Sequence, residues 1–101
     1  MNGKIKNEHI DKLFRAVLEL RSAEECYMFF EDICTVSELN AIAQRLEVAQ
    51  MLESGSTYSE ISESTGASTA TISRVNRCLH YGADGYTLIL KRLAEKYGEK
   101  E

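Results

Sequence analysis

The stretch from Thr57 to Tyr81, TYSEISESTGASTATISRVNRCLHY, predicts two short helices joined by a tight turn. Thr57 is a suitable N-cap, and Glu60 three residues later completes a capping box, in which the two residues exchange side-chain-to-backbone hydrogen bonds. Gly66 supplies the left-handed backbone conformation that ends a helix sharply, and Ser68 caps the next helix almost at once. Because only about three residues separate the two helices, we expect them to cross at a steep angle.

The predicted crossing of these helices has a small core of its own. Close approach of two helices requires a small residue on the first helix and apolar residues on the second. Ser62 is the small residue expected at the crossing, and Ile72 and Val75 are the apolar ones. Ile61 and Leu79 complete the predicted core. This pattern, over about residues 57–81, is typical of a helix-turn-helix, whose second helix enters the major groove of DNA.

The second helix of the motif has small, hydroxyl-bearing residues over its first turns. Hydroxyl groups bond base edges or phosphates, and small side chains let the helix come close to the bases. The positive end of the helix dipole also favours nearby phosphates. The residues predicted to contact DNA are Thr57, Ser68, Thr69, Ala70, Thr71, Ser73 and Arg77. The alternative is a pair of capped helices in an ordinary bundle, whose serines and threonines are merely solvated.

Apolar residues recur at helical spacing throughout the 101 residues, and the chain contains no proline. We therefore predict an all-α protein with a single domain over residues 1–101, since this length supports one modest core. The formal net charge is −4, with ten acids and six bases over residues 1–56 and six of each over residues 57–101. Such a protein adheres weakly to DNA in general, so its binding depends on direct contacts, dimerisation or a ligand.

The three cysteines lack the paired spacing of a metal site, and we expect reduced thiols in a cytoplasmic protein. Cys26 and Cys34 lie on apolar helix faces and are expected to be small core residues. Cys78 and His80 are too few and wrongly spaced for a metal. We expect neither an enzyme nor a cofactor, because nucleophilic residue sets and phosphate-binding glycine loops are missing. No signal peptide is visible, and no apolar run approaches the roughly 20 residues that cross a membrane.

Four further helices are predicted around the motif. The first spans Glu8 to Leu20, the second follows the cap Ser22, the third starts at Thr35, and the last follows the loop from Gly82 to Gly85. The third helix carries an apolar stripe consisting of Leu39, Ile42, Ala43, Leu46, Ala49 and Leu52. The second helix is apolar around most of its circumference between residues 26 and 34. So much apolar surface on a short helix indicates a subunit interface.

Three segments resemble the Trp repressor superfamily, and most closely its Trp-repressor-related group of the YerC/YecD type. They are TVSELNAIAQRLEVAQML, STGASTATISRVNRCL and HYGADGY, and the resemblance covers about residues 8–97. It implies a six-helix subunit in an intertwined homodimer, in which the first three helices and the last interlock. Two-fold symmetry would place the two recognition helices in successive major grooves of a near-palindromic operator. The implied function is sequence-specific regulation of transcription, with repression as the expected mode.

The resemblance also implies a candidate effector site. In the repressor of tryptophan biosynthesis, two arginines sandwich the indole of the corepressor, and Arg45 and Arg74 match their positions. Val75 stands where that repressor has a glycine, and Cys78 stands where it has a serine that helps hold the ligand's amino group. A branched side chain narrows the slot and a thiol is a weak hydrogen-bond partner, so any small-molecule effector is not expected to be tryptophan. Without a ligand, Arg45 would pair with a glutamate of its own helix and Arg74 would contact a phosphate.

The main alternative function is a helix-turn-helix that binds another protein rather than DNA. The net negative charge and the scarcity of lysine on the reading surface favour this alternative. A salt titration separates the two functions, because phosphate contacts weaken steeply with salt.

Overall fold

The structure is a computed structural model that describes residues 7–98. Over this range the chain forms six α-helices and no β-strand. Their bounds are α1 Glu8–Val17, α2 Ala23–Ile33, α3 Val36–Glu53, α4 Tyr58–Thr65, α5 Thr69–Tyr81 and α6 Gly85–Tyr97. The all-α prediction is confirmed. The first helix ends at Val17 rather than at the predicted Leu20. After Val17 the backbone forms tighter turns, in which, for example, the Leu20 N–H donates to the Val17 carbonyl three residues earlier.

Side-chain caps fix where the early helices begin. The Thr35 hydroxyl accepts from the Glu38 N–H at 3.0 Å, and the Glu38 carboxylate accepts from the Thr35 N–H at 2.8 Å. Ser22 caps α2 by accepting from the Glu25 N–H at 3.1 Å, as predicted. The Glu25 carboxylate, however, accepts from the N–H of Arg21 rather than of Ser22, so the reciprocal bond is displaced by one residue.

Contacts divide the chain after Leu39 into two compact units, which we call the N-terminal and the C-terminal unit. The N-terminal unit contains α1 and α2, and neither helix has a buried residue. Its exposed large apolar side chains are Phe14, Leu18, Tyr27, Met28, Ile33 and Val36. Cys26 is exposed and Cys34 is half-buried, so the prediction that both are core residues is wrong for Cys26 in the single chain. A single domain over residues 1–101 stays a prediction.

The described part of the C-terminal unit, residues 40–98, contains a continuous apolar core. Its buried members are Val48, Ala49, Ile61, Ala67, Ile72, Val75 and Leu90. Met51, Leu52, Leu79, Tyr86 and Leu93 pack against them and are partly buried. Helix α5 packs against both α4 and α6. The core therefore holds the predicted helix-turn-helix against the second half of α3 and against α6.

Helix α3 has apolar residues on more than one side. Ala49 is buried and Leu52 is partly buried, as the predicted stripe requires. Ile42 and Leu46 of the same stripe are exposed, whereas Val48, which lies outside the stripe, is fully buried. The sequence pattern identified apolar positions on α3 but did not identify which of them this chain buries by itself.

Candidate nucleic-acid interface

The two helices of the motif begin and end as the sequence predicts. The Thr57 hydroxyl accepts from the Glu60 N–H at 3.1 Å, and the Glu60 carboxylate accepts from the Thr57 N–H at 2.8 Å. Gly66 adopts φ 75° and ψ 5°, the left-handed conformation that ends α4. Ser68 caps α5 by accepting from the Thr71 N–H at 3.1 Å. The capping box and both caps of the turn are confirmed.

Two residues that the sequence analysis did not identify hold the turn in place. The Thr65 hydroxyl donates to the Ile61 carbonyl at 2.8 Å and accepts from the Ala67 N–H at 3.1 Å. From α3, the side-chain amide of Gln44 donates to the Thr65 carbonyl at 3.1 Å. Ser62, predicted as the small residue of the core, is exposed, and Ala67 in the turn is the small residue that is buried. The start of α5 is therefore tied to α3 through the turn.

The buried side of α5 determines which side it exposes. Ile72 and Val75 are almost fully buried in the core. On the other side, Ala70, Ser73 and Arg77 are exposed. These three residues line a shallow hollow of about 500 Å³, which we call the α5 groove. Three of the predicted DNA-contact residues thus share one open surface.

The other four predicted contact residues lie at the start of the two helices. Thr57 and Ser68 are exposed, and both act as N-caps. Thr69 is exposed at the first position of α5. Thr71 is half-buried, and its hydroxyl lies 3.1 Å from that of Ser68, which donates to it. Thr71 is consequently the least available of the predicted contacts.

The α5 groove is also lined by Arg74, which the sequence analysis gave as an effector candidate with a phosphate contact as the alternative. Its further lining residues, Asn76, His80 and Tyr81, were not selected from the sequence. Successive steps of three or four residues from Ala70 reach each of these positions, so they lie along one side of the helix. This spacing could have identified them from the sequence. The sequence analysis considered mainly the first turns, since a recognition helix contacts bases with its N-terminal residues.

Arg45 and Arg74 line different hollows. Arg45 and Cys78 line a second, mainly apolar hollow of about 490 Å³, which we call the Arg45 hollow. The remaining residues of the Arg45 hollow are Ile42, Leu46, Gly82, Ala83, Gly85, Tyr86 and Ile89. Val75 lies in the core and lines neither hollow. The structure thus brings Arg45 and Cys78 together and places Arg74 with the DNA-contact candidates.

The charges of both hollows are largely unopposed. Arg45, Arg74 and Arg77 are exposed, and none forms an ion pair within residues 7–98. The expected pairing of Arg45 with a glutamate of α3 is therefore not observed. In the Arg45 hollow, burial raises the pKa of the Tyr86 phenol above its usual value, the Cys78 thiol raises it further, and the Arg45 guanidinium opposes both effects. Within residues 7–98, no carboxylate therefore pairs with the three arginines.

Residues 7–98 contain neither a metal-binding cluster nor a membrane-spanning helix. No group of three or more histidine, cysteine, aspartate or glutamate side chains in this range could hold a metal ion. None of the helices described is both long and apolar enough to cross a membrane. The cysteines Cys26, Cys34 and Cys78 are all free thiols.

The chain is similar to known proteins over most of its length. The family model for the Trp repressor protein matches residues 8–94. YerC of Bacillus subtilis (strain 168), described as uncharacterized, is 54% identical over 92 residues, which are 91% of this chain and 88% of that protein. A crystal structure of a candidate Trp repressor from Staphylococcus aureus has a TM-score of 0.87 and 51% identity, and covers 92% of this chain and 94% of its own. A TrpR-like protein from Eubacterium eligens ATCC 27750 has the same TM-score and identity, with 99% of both chains covered. The resemblance drawn from the sequence is thereby confirmed, and the chain belongs to the Trp repressor family.

Proposed function

We propose that this protein is a sequence-specific DNA-binding regulator of transcription, a repressor that acts as a homodimer in the cytoplasm. The observation that carries the proposal is the two-sided character of α5. Ile72 and Val75 anchor one side in the core, and the other side exposes small side chains followed by two arginines that form no ion pair within residues 7–98. A helix held in this way can enter a major groove without losing its own packing.

The small residues of α5 are proposed to contact bases, and its arginines are proposed to contact phosphates. Ala70 and Ser73 can approach base edges, where a methyl group contacts thymine and a hydroxyl bonds several acceptors. Arg74 and Arg77 neutralise phosphates and so fix the position of the helix. The first backbone bond of α5 runs from the Ile72 N–H to the Ser68 carbonyl. The Thr71 N–H is already bonded to the Ser68 hydroxyl, and the N–H groups of Thr69 and Ala70 before it are suited to phosphate binding.

The apolar surface that the single chain leaves exposed supports the proposed homodimer. Leu18 is 80% exposed and Met28 is 63% exposed, and α1 and α2 bury no residue. A monomer rarely tolerates so large an apolar surface in water. A second copy would cover it, and two-fold symmetry would give two recognition helices that read a near-palindromic site.

A small-molecule effector other than tryptophan would bind at the Arg45 hollow.

The charge of the α5 groove sets the expected dependence of binding on salt. Arg74 and Arg77 of both subunits would neutralise four phosphates. At about −0.9 per phosphate, log K should fall with log salt with a slope of about −3.6. A helix-turn-helix that binds another protein would give a slope near zero for DNA.

The Ala70→Glu variant tests the proposal. A carboxylate at the groove wall should abolish binding to duplexes selected from a random pool, while the melting temperature changes little because Ala70 is exposed. Ser64→Glu is the matched control, since it adds the same charge at an exposed position on α4, outside the α5 groove and outside the helices implied to interlock. If the unmodified protein selects no sequence, or if Ala70→Glu binds as well as Ser64→Glu, the proposed function is wrong.

A further inference from the structure

The last turn of α5 places a histidine in the α5 groove. His80 lies ten residues beyond Ala70 and lines the same hollow as Ser73, Arg74 and Arg77. Its Nδ1 lies 2.9 Å from the Asn76 carbonyl oxygen one turn earlier. The imidazole is exposed, and its ring centroid is 6.2 Å from that of Tyr81. The side chain is thus held against its own helix while it stays open to a ligand.

The bond to Asn76 determines what the imidazole can offer to DNA. Because a carbonyl oxygen can only accept, Nδ1 carries a hydrogen and donates it. In the neutral ring Nε2 then carries no hydrogen and can only accept, so it cannot donate a hydrogen bond to a phosphate oxygen. In the protonated ring Nε2 becomes a donor with a positive charge, and the bond to Asn76 is kept. While the bond to Asn76 is kept, only the protonated His80 can donate to a phosphate, and protonation does not require the ring to move.

The position of His80 along α5 matches a phosphate rather than a base. Ten residues of helix rise about 15 Å, and the major groove is about 12 Å wide. A helix that places Ala70 at the bases therefore reaches the strand backbone near His80. The charged or titratable groups that line the groove with His80 are Arg74, Arg77 and Tyr81, all on α5; α4 and α6 contribute no side chain to this lining. No carboxylate in the lining competes for the imidazolium.

We infer, on the basis of the proposed DNA binding, that His80 is a further phosphate-contacting residue and that its contact forms only when the imidazole is protonated. Each subunit then takes up a proton as it binds DNA. An exposed charged contact is worth roughly a fivefold change in affinity, so two subunits give up to about 25-fold tighter binding at pH 6 than at pH 8. Six neutralised phosphates should also steepen the salt slope from about −3.6 to about −5.4.

DNA binding of the full-length protein at pH 6 and pH 8 tests this inference, with melting measured at both values. His80→Gln should remove most of the pH effect, and His80→Lys should bind at pH 8 about as tightly as the unmodified protein at pH 6. His9→Gln is the control, because His9 and His80 are the two histidines of the chain and His9 lies on α1. It should keep the full pH effect.

The outcomes separate this inference from the proposed function. An unchanged pH effect in a folded His80→Gln, or no gain at pH 8 in His80→Lys, overturns the role of His80 while leaving DNA binding intact. A protein that selects no DNA at either pH overturns the proposed function itself, and the role of His80 with it.

Discussion

The two units of the chain differ in where their apolar side chains lie. In the C-terminal unit Ile61 and Ile72 are fully buried, whereas in the N-terminal unit Leu18 is 80% exposed and no residue of α1 or α2 is buried. Helices α1 and α2 have 10 and 11 residues, and isolated helices of that length are marginal in water. Caps can specify where such helices begin, but packing has to stabilise them. The described part of the second half therefore carries a core of its own, whereas we propose that a surface outside the chain stabilises the first half.

The largest expected effect concerns the core of the C-terminal unit. Ile72→Ala removes a fully buried side chain and should cost about 2–5 kcal/mol of unfolding free energy. The melting temperature should fall by more than about 10 °C for a protein of this size. Ser73→Ala, at the neighbouring exposed position, should melt nearly as the unmodified protein does. A small change in Ile72→Ala would mean that α5 is not anchored as described.

The next effect tests the N-terminal unit. Met28 is 63% exposed in the chain, so Met28→Glu should change stability by at most about 0.5 kcal/mol if this surface faces water. If a second copy covers Met28, the substitution buries a charge and should instead raise the dissociation constant of the dimer by roughly 30-fold or more. Sedimentation across a concentration series measures this constant. Met28→Leu keeps the apolar volume and should leave the dimer intact. Equal behaviour of Met28→Glu and Met28→Leu would contradict the covered surface.

A smaller effect is expected at the turn between α4 and α5. Gly66 has φ 75°, and a Cβ built there meets no atom within 4 Å, so Gly66→Ala imposes backbone strain alone. That strain should cost about 1–2 kcal/mol of unfolding free energy by chemical denaturation. Gly85→Ala is the matched control, since a Cβ there also meets nothing within 4 Å and φ lies outside the left-handed region. Equal costs at the two positions would remove the conformational role of Gly66.

The features that the sequence predicted correctly are set by neighbouring residues. The caps at Thr57 and Ser68 and the left-handed Gly66 depend on side chains and backbone only a few residues apart. Membership of the family was visible for the same reason, because the motif is continuous in the chain. Local interactions of this kind can be recognised from the residues alone.

The features that the sequence did not predict depend on distant parts of the chain. Gln44 bonds the Thr65 carbonyl across 21 residues, and no local pattern marks that pair. On α3, both Val48 and Ile42 are apolar, and only the packing of the C-terminal unit decides that Val48 is buried. The separation of Arg45 from Arg74 likewise depends on the side of α5 that Val75 turns toward the core.

The smallest expected effect is the response to tryptophan. Arg45 and Arg74 line different hollows of the C-terminal unit, so we do not expect them to sandwich an indole between them. Millimolar tryptophan should leave the melting temperature unchanged. A ligand at about 100 times its Kd would add roughly 2.7 kcal/mol, a shift of several degrees. An upward shift that is lost in Arg74→Ala would restore tryptophan as the effector.

Sedimentation of the unmodified protein at micromolar concentration tests most directly the central claim, that a second copy covers the N-terminal unit. The chain has a mass of 11.4 kDa, and we expect a single species of twice that mass that persists on dilution. Obligate interfaces of this kind bury on the order of 2,000 Å² or more and dissociate little in this range. A stable, cooperatively folded species of 11.4 kDa would contradict the claim and remove the basis for two-fold DNA recognition.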